Sequence, residues 1–134
     1  MVRHAEFPVR TRARNQLVDI SPQVQHAVDA SGLVDGICTV ASAHTTAGIT
    51  INENADPDVA RDILHTLAEM IPQHAGFHHA EGNSDSHIKA SLVGLSVTVP
   101  VKQGRMVLGA WQSVYFCEFD GPRNRTAMVT VIGE

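Results

Sequence analysis

The amino-acid sequence predicts an α+β domain of antiparallel strands with two or three helices. Its strand-like runs are short and joined by short connections, which favours antiparallel pairing. Helical periodicity is confined to segments before residue 95, and from Leu95 onward the chain alternates as strands do. The 134 residues are 43% hydrophobic and 18% charged, with no repeat, linker or shift in composition, so one domain spanning residues 1–134 is expected. A chain of this length buries roughly two-thirds of its unfolded surface.

Residues 3 to 20 carry Phe7, Val9, Leu17, Val18 and Ile20 among polar neighbours, the pattern of edge strands with one wet face. Arg10, Arg12 and Arg14 then project together. Ser21-Pro22 reads as a cap and a first-turn proline, and Val24, Ala27 and Val28 recur at helical spacing until Gly32. Gly36 to Ala43 reads as a buried strand, and Gly48 to Asn52 alternates as a half-buried one. Asp56-Pro57-Asp58 opens the longest helix, whose apolar face is Val59, Ile63, Leu67 and Met70 and which Pro72 ends. Gln73 to Ser86 is a polar loop, and Ser84 or Asp85 caps a helix running to Gly94. Leu95, Val97, Val99 and Val101 form a strand, and Gln103-Gly104 turns tightly into a run from Arg105 to Gln112. Val114 to Phe119 and Thr126 to Ile132 complete the strands.

Ten basic against fourteen acidic residues leave a net charge of −4, which argues against non-specific binding of nucleic acid or an anionic membrane. No apolar run approaches the roughly 18 residues of a membrane span, and Met1 leads into charged residues rather than a signal-peptide core. A cytoplasmic protein is expected. Cys38 and Cys117 lie in apolar runs without CxxC spacing and are expected as packed, reduced thiols.

Eight histidines are the unusual feature of the composition. His44 follows a buried strand, His79 lies in the polar loop and His87 falls in the first turn of the next helix. Three imidazoles plus water is an open arrangement for a divalent ion, zinc or magnesium, although the spacing matches no compact zinc motif. The plain alternative is that His44 satisfies the backbone while His79 and His87 are wet. Among the acids, Asp56 and Asp85 have ready employment as helix caps. Glu53 and Glu81 do not, and rank as the catalytic candidates. Asn83, Lys89 and Arg105 are candidates for a phosphate, the first two beside a helix N-terminus. Arg123 and Arg125 read as a solvated face.

The strings His44-Thr-Thr-Ala, Thr50-Ile-Asn-Glu-Asn-Ala-Asp-Pro57, His79-Ala-Glu-Gly-Asn-Ser-Asp-Ser-His-Ile-Lys89, Gly109-Ala-Trp-Gln112 and Cys117-Glu-Phe-Asp-Gly121 occur in one order over nearly the whole chain. Together they resemble the YjbQ-like family, catalogued as secondary thiamine-phosphate synthases. Ala110 and Val114 depart from residues common there. The resemblance implies a β-sandwich-type α+β domain and a homotrimer. It also implies weak joining of a hydroxymethylpyrimidine diphosphate to a thiazole phosphate with loss of pyrophosphate, a divalent ion neutralising the leaving group. A trimeric protein that binds metal or a small ligand without turnover is the alternative.

Overall fold

The computed structural model describes all 134 residues. The elements are β1 (Val2–Arg10), β2 (Gln16–Asp19), α1 (Ser21–Ser31), β3 (Gly36–Ser42), β4 (Ala47–Glu53), α2 (Pro57–Met70), α3 (Ser84–Val93), β5 (Ser96–Lys102), β6 (Arg105–Met106), β7 (Gln112–Glu118) and β8 (Asn124–Gly133). They form one sheet in the order β1-β8-β3-β5-β6 and a second in the order β2-β7-β4, with every pairing antiparallel. The α+β class, the antiparallel sheets and the upper count of three helices are as expected.

Strand alternation places one face of each sheet inward. Val9, Cys38, Val40, Val99, Val101, Ala127, Val129 and Val131 of the first sheet meet Ala47, Ile49, Val114 and Phe116 of the second, and Val24 and Val28 of α1 close the same core. The opposite face of the second sheet carries Tyr115, Cys117 and Phe119, which pack with Ala90 of α3 and, at its edge, Leu64 and Leu67 of α2. β7 is therefore covered on both faces. Both thiols are free and buried, and burial pushes Cys117 up to about 12.

Several expectations change in detail. α2 begins as read, with the Asp56 carboxylate accepting from the Asp58 N–H at 2.9 Å, but none of its residues is fully buried and Met70 is 64% exposed. It lies on the fold's surface, so its apolar stripe is only half covered. Ser21 does not cap α1; its hydroxyl accepts from the Val114 N–H and ties the helix to β7 instead. The run from Arg105 to Gln112 is not one strand: Arg105–Met106 pairs with β5, the Val107 N–H makes a last bond to the Pro100 carbonyl at 2.8 Å, and Gln112 already opens β7. The Gln103-Gly104 turn holds, with φ of 52° and 77°, the left-handed pair that matches strand twist in a two-residue hairpin.

Where the apolar residues run out is as informative as where they pack. On the outer face of the first sheet Val2, Ile132, Ile37 and Pro100 stand in cross-strand register, followed by a row of His4, Thr130, Thr39 and Thr98. Val2, Ile37 and Ile132 are between 41% and 51% exposed. This face carries a continuous apolar row in one chain.

Candidate functional site

The polar chemistry of the chain concentrates at one end of the second sheet, where β7 runs out at Glu118. This acid follows the apolar run Val114 to Cys117 of β7 and is fully buried. Its carboxylate accepts from Arg125 Nε at 2.8 Å and from Arg125 Nη2, from Thr11 Oγ1 at 2.7 Å, and from the Phe119 and Asp120 N–H groups at 3.1 and 3.0 Å. Arg125 Nη2 also reaches Thr46 Oγ1 at 2.8 Å. Burial alone would raise the Glu118 pKa, but these donors hold it below the ordinary carboxylate value. The turn after β7 must pass close to this cluster: a Cβ on Gly121 would stand 2.8 Å from Thr11 Oγ1 and 2.3 Å from the Ala13 carbonyl oxygen. Only glycine fits.

A second buried network lies beneath the start of α3. The Asp85 carboxylate accepts from Arg14 Nη1 and Nη2 at 3.0 and 3.1 Å and from Lys89 Nζ at 2.9 Å. Burial opposes its charge, yet the two cations lower the Asp85 pKa to about 2. Ser86 Oγ donates to the Phe119 carbonyl, and Asn83 Nδ2 donates to Asp120 Oδ2 at 2.9 Å, so the helix start is anchored to the end of β7. Asn83 Oδ1 is the one buried side-chain polar atom without a partner, a position worth roughly 1–3 kcal/mol to whatever donor or cation meets it.

The sequence-derived candidates divide into two groups. His79 and His87 come together, their rings edge-to-face with centroids 5.6 Å apart in a cavity of about 510 Å³ that also includes Phe77, His78 and Ser84. Glu81 lies beside them, its carboxylate 3.7 Å from His79 Nε2 and 74% exposed. His44 is engaged elsewhere. Its Nε2 accepts from the Thr126 N–H at 2.9 Å, so the proton of the neutral ring sits on Nδ1 and neither nitrogen offers a free lone pair. Burial, with Arg125 and Arg123 nearby, lowers its pKa and keeps it neutral. In this arrangement the His44 ring accepts one hydrogen bond and keeps only its Nδ1–H to donate, and one chain gathers no set of three His, Cys, Asp or Glu side chains able to hold a metal.

The other candidates are dispersed. Glu53 ends β4 opposite Gln112, six residues or about 20 Å along the strand from Ala47, which stands opposite Glu118. Lys89 is 2% exposed and its ammonium is committed to Asp85, so it is a buried counter-ion and not a free phosphate contact. Arg105 lines a different cavity, with Asp19, Gln25 and Asp29. Asp85 does not cap α3 either, because its carboxylate points to Arg14 and Lys89. Arg125, read from sequence as solvated, is 6% exposed and pairs with Glu118. The signal for that pair was an acid inside the apolar run Val114 to Phe119.

Residues 5–134 match the model of the UPF0047 protein YjbQ-like family. The chain belongs to this family. It is 50% identical over 129 residues to a UPF0047 protein of Methanocaldococcus jannaschii, covering 96% of this chain and 94% of that one. With the YugU protein of Bacillus subtilis it shares 46% over 126 residues, covering 93% and 96%. Among solved structures, the YjbQ/UPF0047 protein of Clostridium acetobutylicum superposes with a TM-score of 0.94 at 51% identity, covering 96% of this chain and 99% of that one. The YbjQ-like protein of Sulfolobus solfataricus gives 0.96 at 34%, covering 100% and 99%. YjbQ-family membership thus accounts for the single α+β domain with three helices and two antiparallel sheets. No helix of this family member is long and apolar enough to cross a membrane.

Proposed function

We propose that the protein is a divalent-metal-assisted enzyme acting on phosphorylated small molecules, with thiamine-phosphate synthase as the reaction to test first. The observation that carries this reading is the His79–His87 ring pair, in which His87 stands on α3, the helix whose start the buried Asp85 network anchors. His79 and His87 would hold the ion. Two imidazoles suit zinc better than magnesium, which prefers oxygen ligands. Asn83 Oδ1, unpartnered at the same helix start, supplies an oxygen of the kind such a site uses. Further donors would come from the substrate or from a second copy of the chain. When bound, the ion would neutralise the pyrophosphate that leaves as the pyrimidine methylene carbon exchanges its C–O bond for a bond to the thiazole nitrogen. Glu81 is the carboxylate positioned beside the imidazoles, and the Nδ1–H of His44 is a neutral donor suited to a phosphate oxygen.

The exposed apolar row of the first sheet supports a homotrimer, since a face of this kind needs covering. Binding of metal or a small ligand without turnover is the second reading. It is favoured by the 74% exposure of the Glu81 side chain and by the distance of Glu53, which leave no desolvated base at the imidazoles.

The test is elemental analysis of the wild type and His87→Ala, purified identically after supply of zinc, manganese or magnesium, together with pyrophosphate release from the two substrates. Metal retained by the wild type and lost by a still-folded His87→Ala is expected. Equal metal in both would sink the site. Metal without pyrophosphate release, indifferent to Glu53→Gln and Glu81→Gln, would favour the second reading.

A further inference from the structure

A second cavity at this end of the fold, of about 620 Å³, is lined by Arg10, Thr11, Arg12, Pro122, Arg123 and Asn124, with no carboxylate among them. Main-chain pairing builds it. Arg10 is opposite Asn124 in the β1-β8 ladder, and just beyond it the Thr11 N–H donates to the Arg123 carbonyl at 3.0 Å while the Arg123 N–H donates to Thr11 Oγ1 at 2.9 Å. In extended backbone, neighbouring side chains face opposite ways. Thr11, 3% exposed, therefore turns inward to Glu118, and Arg10 and Arg12 turn out on the same side.

These arginines have few partners among the protein's own groups. The guanidinium groups of Arg10 and Arg12 take part in no hydrogen bond or ion pair; the one hydrogen bond of Arg12 is donated by its main-chain N–H, to Gln16 Oε1. Arg123 is oriented from behind, Nε donating to the Asp120 carbonyl at 2.7 Å and Nη2 to Asp120 Oδ2 at 2.9 Å. Three arginines thus line one cavity of a protein whose net charge is −4. Their mutual repulsion is relieved by an anion, and their planar forks match phosphate oxygens in pairs.

We propose that this arginine cavity binds the diphosphate group of a small-molecule ligand. The inference rests on the reading of a phosphorylated substrate and assigns the group that carries its charge. Asp120 joins the two sites, since its Oδ2 accepts from both Arg123 and Asn83, and Asn83 immediately precedes the helix that bears His87. A diphosphate held by Arg10, Arg12 and Arg123 is therefore registered against the imidazole pair through one carboxylate.

Calorimetric titration of inorganic pyrophosphate into the full chain, with chelator present, tests this separately from metal binding. The wild type is expected to bind. The paired change Arg10→Gln with Arg12→Gln should weaken binding at least about tenfold, as should Arg123→Gln. His87→Ala and the distant Arg61→Gln should bind as the wild type does. Arg10 and Arg12 are exposed, so their replacement leaves the fold intact, and unchanged melting curves check this. Absence of binding by the wild type, or binding that the paired arginine change leaves intact, would overturn the inference. Loss in His87→Ala but not in the arginine variants would place the anion at the imidazoles, sparing the phosphorylated-substrate reading while removing this one.

Discussion

Arg125 donates through both Nε and Nη2 to the two carboxylate oxygens of Glu118, in a pair whose side chains are 5% and 0% exposed. Both charges have left water, so the pair persists only because its remaining positions are filled, by Thr11, Thr46 and two main-chain N–H groups. It joins β7, the middle strand of the second sheet, to β8, which lies between β1 and β3 in the first.

Removing one partner should therefore cost more than removing both. Glu118→Gln is expected to lower stability by about 3–5 kcal/mol, since it strands Arg125 in the interior. Glu118→Leu combined with Arg125→Met should cost less than either single change. Urea unfolding of the three variants decides the matter, and a Glu118→Gln protein as stable as the wild type would contradict it.

The Asp85 network makes stability depend on acid. Its folded pKa, about 2, lies below the ordinary 3.8, so its contribution is complete above about pH 4 and is lost as pH falls toward 2. Glu118, also held low, adds a loss of the same sign. Asp85→Asn should lower stability at neutral pH and flatten the dependence between pH 4 and 2, measured by urea unfolding across that window. An unchanged slope would show that Asp85 is not the titrating group.

Asp56 has a structural task. Its carboxylate accepts from the Asp58 N–H in front of Pro57, and Asp56→Ala should cost about 1 kcal/mol while leaving metal and pyrophosphate binding intact. Lost binding at an unchanged melting temperature would move Asp56 from the helix cap to the site.

The apolar row on the first sheet predicts assembly. Light scattering of the wild type should report three chains, and Ile37→Glu, placed between Ile132 and Pro100, should shift the mass toward the monomer. A monomeric wild type at micromolar concentration would leave the row unexplained.

His44 should titrate below the ordinary imidazole range, because burial and the neighbouring arginines oppose its protonation. Its proton should reside on Nδ1. Nitrogen-detected NMR resolves both, and an Nε2–H tautomer would contradict the Thr126 hydrogen bond.

The elements were legible in the sequence because their signals are local. The alternation of Val97, Val99 and Val101, the Gln103-Gly104 turn, and the Asp56-Pro57 start of α2 each depend on residues a few positions apart, and each appears where the pattern put it. His79 and His87 belong with these, since eight residues of one loop and one helical turn separate them. The extent of burial was less legible. The stripe of α2 marks a helix but does not say that this helix ends on the surface, half covered.

The sequence by itself determined the class of the fold, the helices and most strands, the packed thiols and the loop that carries the imidazoles. Tertiary structure alone decided which charges are spent. Lys89 is a buried counter-ion because Arg14, 71 residues from Asp85, completes the same network; His44 keeps no free lone pair because Thr126, 82 residues away, donates to it; and Arg125 is interior because β8 passes Glu118. The physical reason is common to all three. A backbone conformation follows from its immediate neighbours, whereas the protonation, tautomer and availability of a polar side chain depend on the dielectric and the partners around it, which come from distant parts of the chain.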